Sequence, residues 1–459
     1  MPTLTARSRI DAPANVVFDW HKRPGALQRL TPPWARVTVK EAGGIQEGDR
    51  AVVRIGIGPG NMEWILEHRG YVEGRQFVDV QVKGPFHRWE HTHRFEPDGP
   101  DACTLIDHVE FEYPLGKPVE ELVQYRVEDQ LERQFAYRHR IVKHDLERHR
   151  TYSRRPLRVA VTGSHGLIGS ALTYFLETGG HEVIRLVRST PSPGEAYWNP
   201  REGIIEAEKL EGLDAVVHLA GENVFALRWT EEKKKRILQS RIDGTSLLAE
   251  TLARLKNPPA VLISASGIGY YGDRGSEVLT EDSPLGETGF ITAVAHEWEA
   301  AARPAADTGI RLVNARMGVV LSPAGGALQV MLPIFKVGLG GQVGDRDQYL
   351  SWIALDDAIY GLYHTIWTDN LQGPVNFTAP NPVTMDVFTR TVARVLRRPS
   401  LFTIPSPLLR FISGEAAEDM ILTSTRAQPT RLLETGYTFA YPDLEGALRH
   451  QLGYTRKAA

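Results

Sequence analysis

The chain has 459 residues, enough for two or three domains at roughly 100–200 residues each. A hydrophobic fraction of 42%, a charged fraction of 24% and a net charge of −3 are those of a soluble globular protein; they give no argument for nucleic acid or an anionic membrane surface. One cysteine, Cys103, excludes an intramolecular disulfide, no zinc-type Cys/His spacing is present, and neither a signal-peptide core nor a run of about 18 apolar residues occurs, so no membrane insertion and a cytoplasmic location are expected.

The first 150 residues read as short alternating strands followed by one long helix. Strands are expected at Leu4–Ile10, Arg36–Glu41, Arg50–Ile57, Glu63–Val72, Phe77–Val82, Arg88–Glu96 and Thr104–Tyr113. Asp11-Ala-Pro13 reads as a cap and first-turn proline leading into a helix at Asn15–Trp20. From Val119 to about Arg150, the apolar residues Val123, Val127, Leu131, Phe135, Val142 and Leu146 recur at helical spacing among charges, predicting an amphipathic helix. This order, with Ile10-Asp-Ala-Pro-Ala-Asn-Val-Val-Phe18, resembles START-like, polyketide-cyclase-type helix-grip domains. The resemblance implies an α+β fold with an apolar ligand between sheet and helix. Trp89, His91, His93 and Phe95 alternate onto one strand face. His91 and His93 could hold a metal, but the sequence shows no third ligand nearby, so cavity lining or sheet surface is the expectation and no metal is assigned.

Tyr152-Ser-Arg-Arg-Pro156 reads as a polar linker. Beyond it, strands and helices alternate, predicting a doubly wound parallel sheet of α/β class. Leu157–Thr162 is an apolar strand running into Gly163-Ser164-His165-Gly166-Leu167-Ile168-Gly169 and a helix over Ser170–Thr178, with a second strand at Glu182–Val187. Glycines at this spacing between strand and helix cradle a dinucleotide pyrophosphate at the helix N-terminus. The second strand ends in Arg188, not an acidic residue, and a guanidinium can bond a 2′-phosphate, so NADP(H) is expected over NAD(H). The strand from Leu213 ends in Leu219-Ala220-Gly221, expected beneath the nicotinamide-side ribose.

Ser264-Ala-Ser266 followed by Gly269-Tyr270-Tyr271-Gly272, and Trp352-Ile-x-x-Asp356-Asp357, join the glycine spacing to resemble extended short-chain dehydrogenases/reductases. Arg228-Trp229, Ser240-Arg241, Trp298-Glu299, Arg316-x-Gly318-x-Val320-Leu321 and Gly338-Leu-Gly-Gly341 are similar to the atypical "epimerase family" branch, over residues 157–455. The resemblance implies a Rossmann core at 157–320 and a substrate-side and C-terminal subdomain at 321–459 with some segments returning to the sheet. It also implies cofactor contacts from Thr162, Gly163–Gly169, Arg188, Leu219, Ala220, Gly221, Arg241 and the Val319-Val320 backbone; Arg241 reads equally as a structural ion-pair residue.

The chemistry departs from the superfamily's pattern. Its Tyr-x-x-x-Lys pair, in which lysine lowers the tyrosine pKa, has no counterpart between Leu285 and Glu299. Ser266 with Tyr270 or Tyr271 is the substitute expected to handle a substrate oxygen; Glu281 and His296 are further candidates, although His296 and Glu297 also read as a helix's polar face. Gln348–Ser351 stands where sugar-nucleotide enzymes place an arginine, with Arg346 off position, while Met331, Leu332, Phe335, Leu339 and Trp352 suggest either an apolar substrate region or core. The main expectation is an NADP(H)-dependent oxidoreductase for a small apolar molecule, its N-terminal domain holding a related ligand. A non-catalytic, NADP(H)-responsive binding protein and a nucleotide-sugar epimerase are the rivals, and the oligomeric state is left open.

Overall fold

Alternating apolar residues and short turns build the N-terminal half strand by strand. The computed structural model describes residues 2–113, 117–152, 154–224, 228–287, 289–400 and 402–454, and their side chains except 117–123 and 404. Val123 of the helical series and Ser153 of the linker therefore lie outside the described side chains and residues. Two compact units result: Met1–Pro156 with Tyr174–Gly180 and Leu452–Ala459, and Leu157–Thr173 with His181–Gln451.

In the first unit, β1 (Thr3–Ile10), β2 (Val37–Ala42), β3 (Arg50–Ile57), β4 (Gly60–Val72), β5 (Gln76–Lys83), β6 (Arg88–Pro97) and β7 (Cys103–Glu112) form an antiparallel sheet in the order β1-β7-β6-β5-β4-β3-β2. Helix α1 (Ala14–Lys22) follows Pro13 and buries Val17, Phe18 and Trp20. Helix α2 (Lys117–Tyr152) buries Leu131, Phe135, Val142 and Leu146. It runs two residues past its expected end, and the Thr151 hydroxyl donates to the Glu147 carbonyl at 2.8 Å in the last turn. Phe18, Phe77 and Phe95 pack in one apolar cluster; Trp89, Phe111 and Phe135 pack in another.

Trp89, His91, His93 and Phe95 are all buried on one face of β6, as alternation requires. The expectation of plain cavity lining or sheet surface for the histidines is corrected. Asp79 on β5 is directly opposite His91, and Asp107 on β7 is directly opposite His93. His68 on β4 faces Asp79 from the other side, so a polar belt crosses four strands. Burial opposes both carboxylate charges, yet the facing histidines, His93 foremost, hold Asp79 and Asp107 well below the usual carboxylate range.

In the second unit, β8 (Arg158–Thr162) leads through the glycine loop to α3 (Leu167–Thr178), followed by β9 (Glu182–Val187), β10 (Glu195–Asn199), β11 (Ile204–Ile205) and β12 (Ala215–His218). Then come α4 (Glu231–Ala253), β13 (Val261–Gly267), α5 (Phe290–Ala301), β14 (Arg311–Met317), α6 (Gly326–Lys336), α7 (Leu355–Trp367), β15 (Gly373–Phe377) and α8 (Glu415–Met420). The sheet order is β11-β10-β9-β8-β12-β13-β14-β15, parallel except for the β10–β11 edge. Strand order reverses between β8 and β12, which opens a crevice at the strands' carboxyl ends. Asp357 serves structure here: its carboxylate accepts from the Ala440 and Tyr441 N–H groups at 2.7 and 2.9 Å, anchoring the C-terminal segment.

Candidate functional site

Parallel strands in register bring their last residues to one edge: Thr162 and Ser264 flank His218, and Ser266 lies beside Arg316. At that edge is a cleft of about 620 Å3, lined by the glycine loop, the end of β13, one face of α5 and the end of α8. Gly163 has φ +65°, and a side chain there would put Cβ 2.9 Å from the Leu219 carbonyl carbon. At Gly169 a Cβ would lie 2.2 Å from the Gly163 carbonyl oxygen. The loop thus closes as a dinucleotide cradle requires.

Gly163, Gly166, Leu167, Ile168, Gly169 and Leu219 line the cleft, as do Arg241, Val319 and Val320. Thr162 does not; it is fully buried and acts through the backbone. Its hydroxyl accepts from the Leu219 and Ala220 N–H groups at 3.0 and 3.1 Å and lies 2.7 Å from His218 Nδ1. Burial, with the charge of Arg241 adding, pushes His218 down to about 4, so it is neutral. The tautomer that satisfies its neighbours accepts from Thr162 at Nδ1 and donates from Nε2 to Thr245 Oγ1 at 3.0 Å. Ser164 is buried, whereas His165 and Gly221 are exposed. Arg188 is exposed at the end of β9, and its charge reaches Glu222 in the loop after β12, whose pKa is held low chiefly by Lys233.

Arg241 is tied to the carbonyls of Glu222 and Ile237 at 3.1 and 3.0 Å and lies over the Trp298 ring at 4.6 Å. Burial lowers its pKa to about 10, so it remains charged at neutral pH. Ser164 Oγ and Trp298 Nε1 are buried without a hydrogen bond among the described residues. A charged guanidinium, a cradle that side chains would fill and buried polar atoms lacking partners together fit a phosphate-bearing dinucleotide.

Ser266 also lines the cleft, and its hydroxyl donates to Glu299 Oε1 at 2.9 Å. Glu299 on α5 accepts from Arg316 Nε and Nη2 at 2.8 and 2.9 Å, a bidentate buried pair. Burial disfavours the charge on Arg316, but Glu299 outweighs it and raises the pKa. Tyr270 and Tyr271 are not cleft-lining residues. Tyr271 is fully buried, donates to Asn376 Oδ1 at 2.7 Å and accepts from Arg316 at 3.0 Å, while Tyr270 stacks on the same guanidinium at 3.5 Å. Glu281 is buried and accepts from the Asn376 and Arg431 N–H groups at 3.1 and 3.2 Å; His296 and Glu297 are exposed. A mid-strand arginine within Leu312–Met317 was the available sequence signal for this network, because a buried guanidinium demands a carboxylate.

Of the two readings left open for the apolar residues, substrate region or core, the core reading is met for three of them. Met331, Leu332, Phe335, Leu339 and Trp352 do not line the cleft; Leu332, Phe335 and Trp352 are core, and Leu339 is exposed. Ile291, Val294, Ala295, Met317 and Met420 line it instead, because α5 and α8 flank the strand ends. Arg346 pairs with Asp386 at 2.8 Å on the surface and does not reach inward. Asp419 and Tyr349, absent from the sequence-based candidates, are cleft residues able to exchange a proton. Burial raises the Asp419 pKa, while its Oδ2 accepts from the Ile291 N–H at 2.9 Å.

The NAD dependent epimerase/dehydratase family profile matches residues 159–371. An epimerase family protein of Mycobacterium tuberculosis is 43% identical over 291 residues, 63% of this chain and 96% of that protein. The chain belongs to the epimerase family. Residues 10–136 match the profile for polyketide cyclase / dehydrase and lipid transport, and residues 404–451 match a domain of unknown function, in line with the resemblances read from the motifs. A crystal structure described as a nucleoside-diphosphate sugar epimerase from Corynebacterium glutamicum is 34% identical, with TM-score 0.80, covering 98% of this chain and 90% of that one. The human epimerase family protein SDR39U1, crystallised with NADPH, is 35% identical, with TM-score 0.61, over 65% of this chain and all of that one. No described helix of this family member is long and apolar enough to cross a membrane.

Proposed function

We propose that this epimerase-family chain binds NADP(H) in the cleft and is an oxidoreductase for a small, largely apolar alcohol or carbonyl compound. The observation that carries the reading is that Ser266 lines the same cleft as the glycine loop, Arg241 and the apolar residues of α5. Arg188 at the end of β9 supports the phosphorylated cofactor, as does NADPH in the human relative's crystal structure. When bound, the nicotinamide supplies hydride donation or acceptance. With its proton given to Glu299, the Ser266 hydroxyl offers lone pairs to a substrate alcohol; rotated about Cβ–Oγ, it donates to a carbonyl oxygen. Arg316 holds Glu299 in place through two hydrogen bonds, and so fixes the serine. Asp419 and Tyr349 replace Tyr270 and Tyr271 as candidate proton carriers.

The test is cofactor oxidation with a panel of apolar ketones, aldehydes and quinones. The expected result is NADPH-dependent turnover that falls at least ~100-fold in Ser266→Ala with NADPH affinity preserved, the size of effect that losing one positioned hydrogen-bonding group produces. Tight NADPH binding without turnover across the panel would overturn the oxidoreductase reading and favour a cofactor-responsive binding protein, a rival motivated by the burial of Tyr271.

A further inference from the structure

The polar belt of the N-terminal unit has two chemically different sides. On one side, Asp79 Oδ2 lies 3.6 Å from His91 Nδ1 and 3.2 Å from His93 Nε2. One donor atom from each of these three residues falls within 4.8 Å of the others. On the other side, Asp107 Oδ1 lies 2.8 Å from His91 Nε2 and 2.7 Å from His93 Nδ1. The first set of separations is close to the roughly 3.0–3.4 Å between two ligands sharing an ion at about 2.1 Å. The second set is shorter, at hydrogen-bonding distance, and in the first set the His93 Nε2–Asp79 Oδ2 contact is itself a hydrogen bond. Both imidazoles therefore turn one nitrogen to a shared point beside Asp79 and the other to a carboxylate.

We propose that Asp79, His91 and His93 bind a divalent transition-metal ion, with Asp107 orienting the two imidazoles. A histidine bound to a metal ordinarily gives its other N–H to a carboxylate, and Asp107 is placed to receive both. Asp107 is itself fixed: its Oδ2 lies 2.6 Å from His139 Nε2, and His139 Nδ1 faces Ser8 Oγ at 2.8 Å. His68 Nδ1 lies 2.7 Å from the second Asp79 oxygen and steadies the ligand carboxylate. Phe77 stacks on His93 with ring centroids 4.2 Å apart and Phe135 lies 5.2 Å from His91, giving a site of low polarity. The Asp79 side chain keeps 15% exposure and marks the way in. Two nitrogens and a carboxylate select zinc, iron(II), cobalt(II) or nickel(II) over magnesium or calcium, and three protein ligands leave positions for an exogenous oxygen donor.

The experiment strips the full-length protein with chelator and titrates it with cobalt(II), then zinc(II). One cobalt per chain, a d–d absorption spectrum, its displacement by zinc and zinc-edge X-ray absorption showing two imidazoles with oxygen donors are expected. Asp79→Asn and His93→Gln should weaken binding at least ~100-fold, and Asp107→Asn about 10–100-fold with the ion still bound. Lack of stoichiometric binding by the stripped, folded wild type overturns the proposal, as does bound zinc without imidazole scattering or an Asp79→Asn variant of unchanged affinity. Should the variants fail to fold by circular dichroism, the wild-type X-ray absorption decides. None of these outcomes bears on the cofactor cleft.

Discussion

Glu299→Ala removes the carboxylate that joins Ser266 to Arg316, and its cost follows from the geometry. Arg316 and Glu299 have side-chain exposures of 3% and 13%, so removal leaves a guanidinium in a largely dry site. Breaking a buried pair from one side costs about 3–5 kcal/mol. Arg316 keeps the Tyr271 hydroxyl at 3.0 Å and the Glu281 carbonyl at 3.4 Å, which argues for the lower end, ~3 kcal/mol. For a large domain, where each kcal/mol moves Tm by about 2–4 °C, the expected drop is ~6–12 °C. Differential scanning calorimetry measures it. Glu299→Leu combined with Arg316→Met should recover most of the loss, because an apolar pair leaves no unpaired charge. A drop of under ~2 °C, the scale of an exposed ion pair, would refute the argument that this network is desolvated.

Arg188→Ala should weaken NADPH about 10–100-fold and leave NADH almost unchanged in a fluorescence titration, since a charge-assisted bond contributes about 1.5–3 kcal/mol; an equal loss for both cofactors would remove Arg188 from the 2′-phosphate. Gly169→Ala should abolish cofactor binding or lower Tm, because its Cβ would be 2.2 Å from the Gly163 carbonyl oxygen; wild-type behaviour in both measurements would refute the close-packed loop. Burial raises the pKa of Glu281, so its protonated form stabilises the fold fully below the unfolded value near 4.3, and that contribution is lost as pH rises through the higher folded value. Glu281→Gln keeps an acceptor for the two N–H groups and should gain stability relative to wild type across that rise; parallel pH profiles in urea unfolding would refute it.

Local sequence was sufficient where the physics is local. The strand–glycine loop–helix run of 157–178 specifies its own cradle, because short-range sterics make each glycine necessary. Strand alternation likewise put Trp89, His91, His93 and Phe95 on one face, and the helical repeat marked the buried side of α2. Family membership was readable because several motifs recur together.

Pairing across strands was not readable. Asp79 reaches His91 from the next strand, 12 positions away, and Asp107 reaches His93 from 14 positions away. No periodic signal records such a register, so His91 and His93 looked like a pair with no third ligand. The same limit misdirected the tyrosines: Tyr270 and Tyr271 follow Ser266 closely in sequence, yet a short 3-10 turn over Ile268–Tyr271 leads Tyr271 into the core and onto Asn376. Asp419 arrives at the cleft from the far end of the chain. By itself the sequence determined the elements, the cofactor loop and the family; the tertiary structure alone decided which charges face one another, because Coulomb and hydrogen-bond partners are chosen by distance in space.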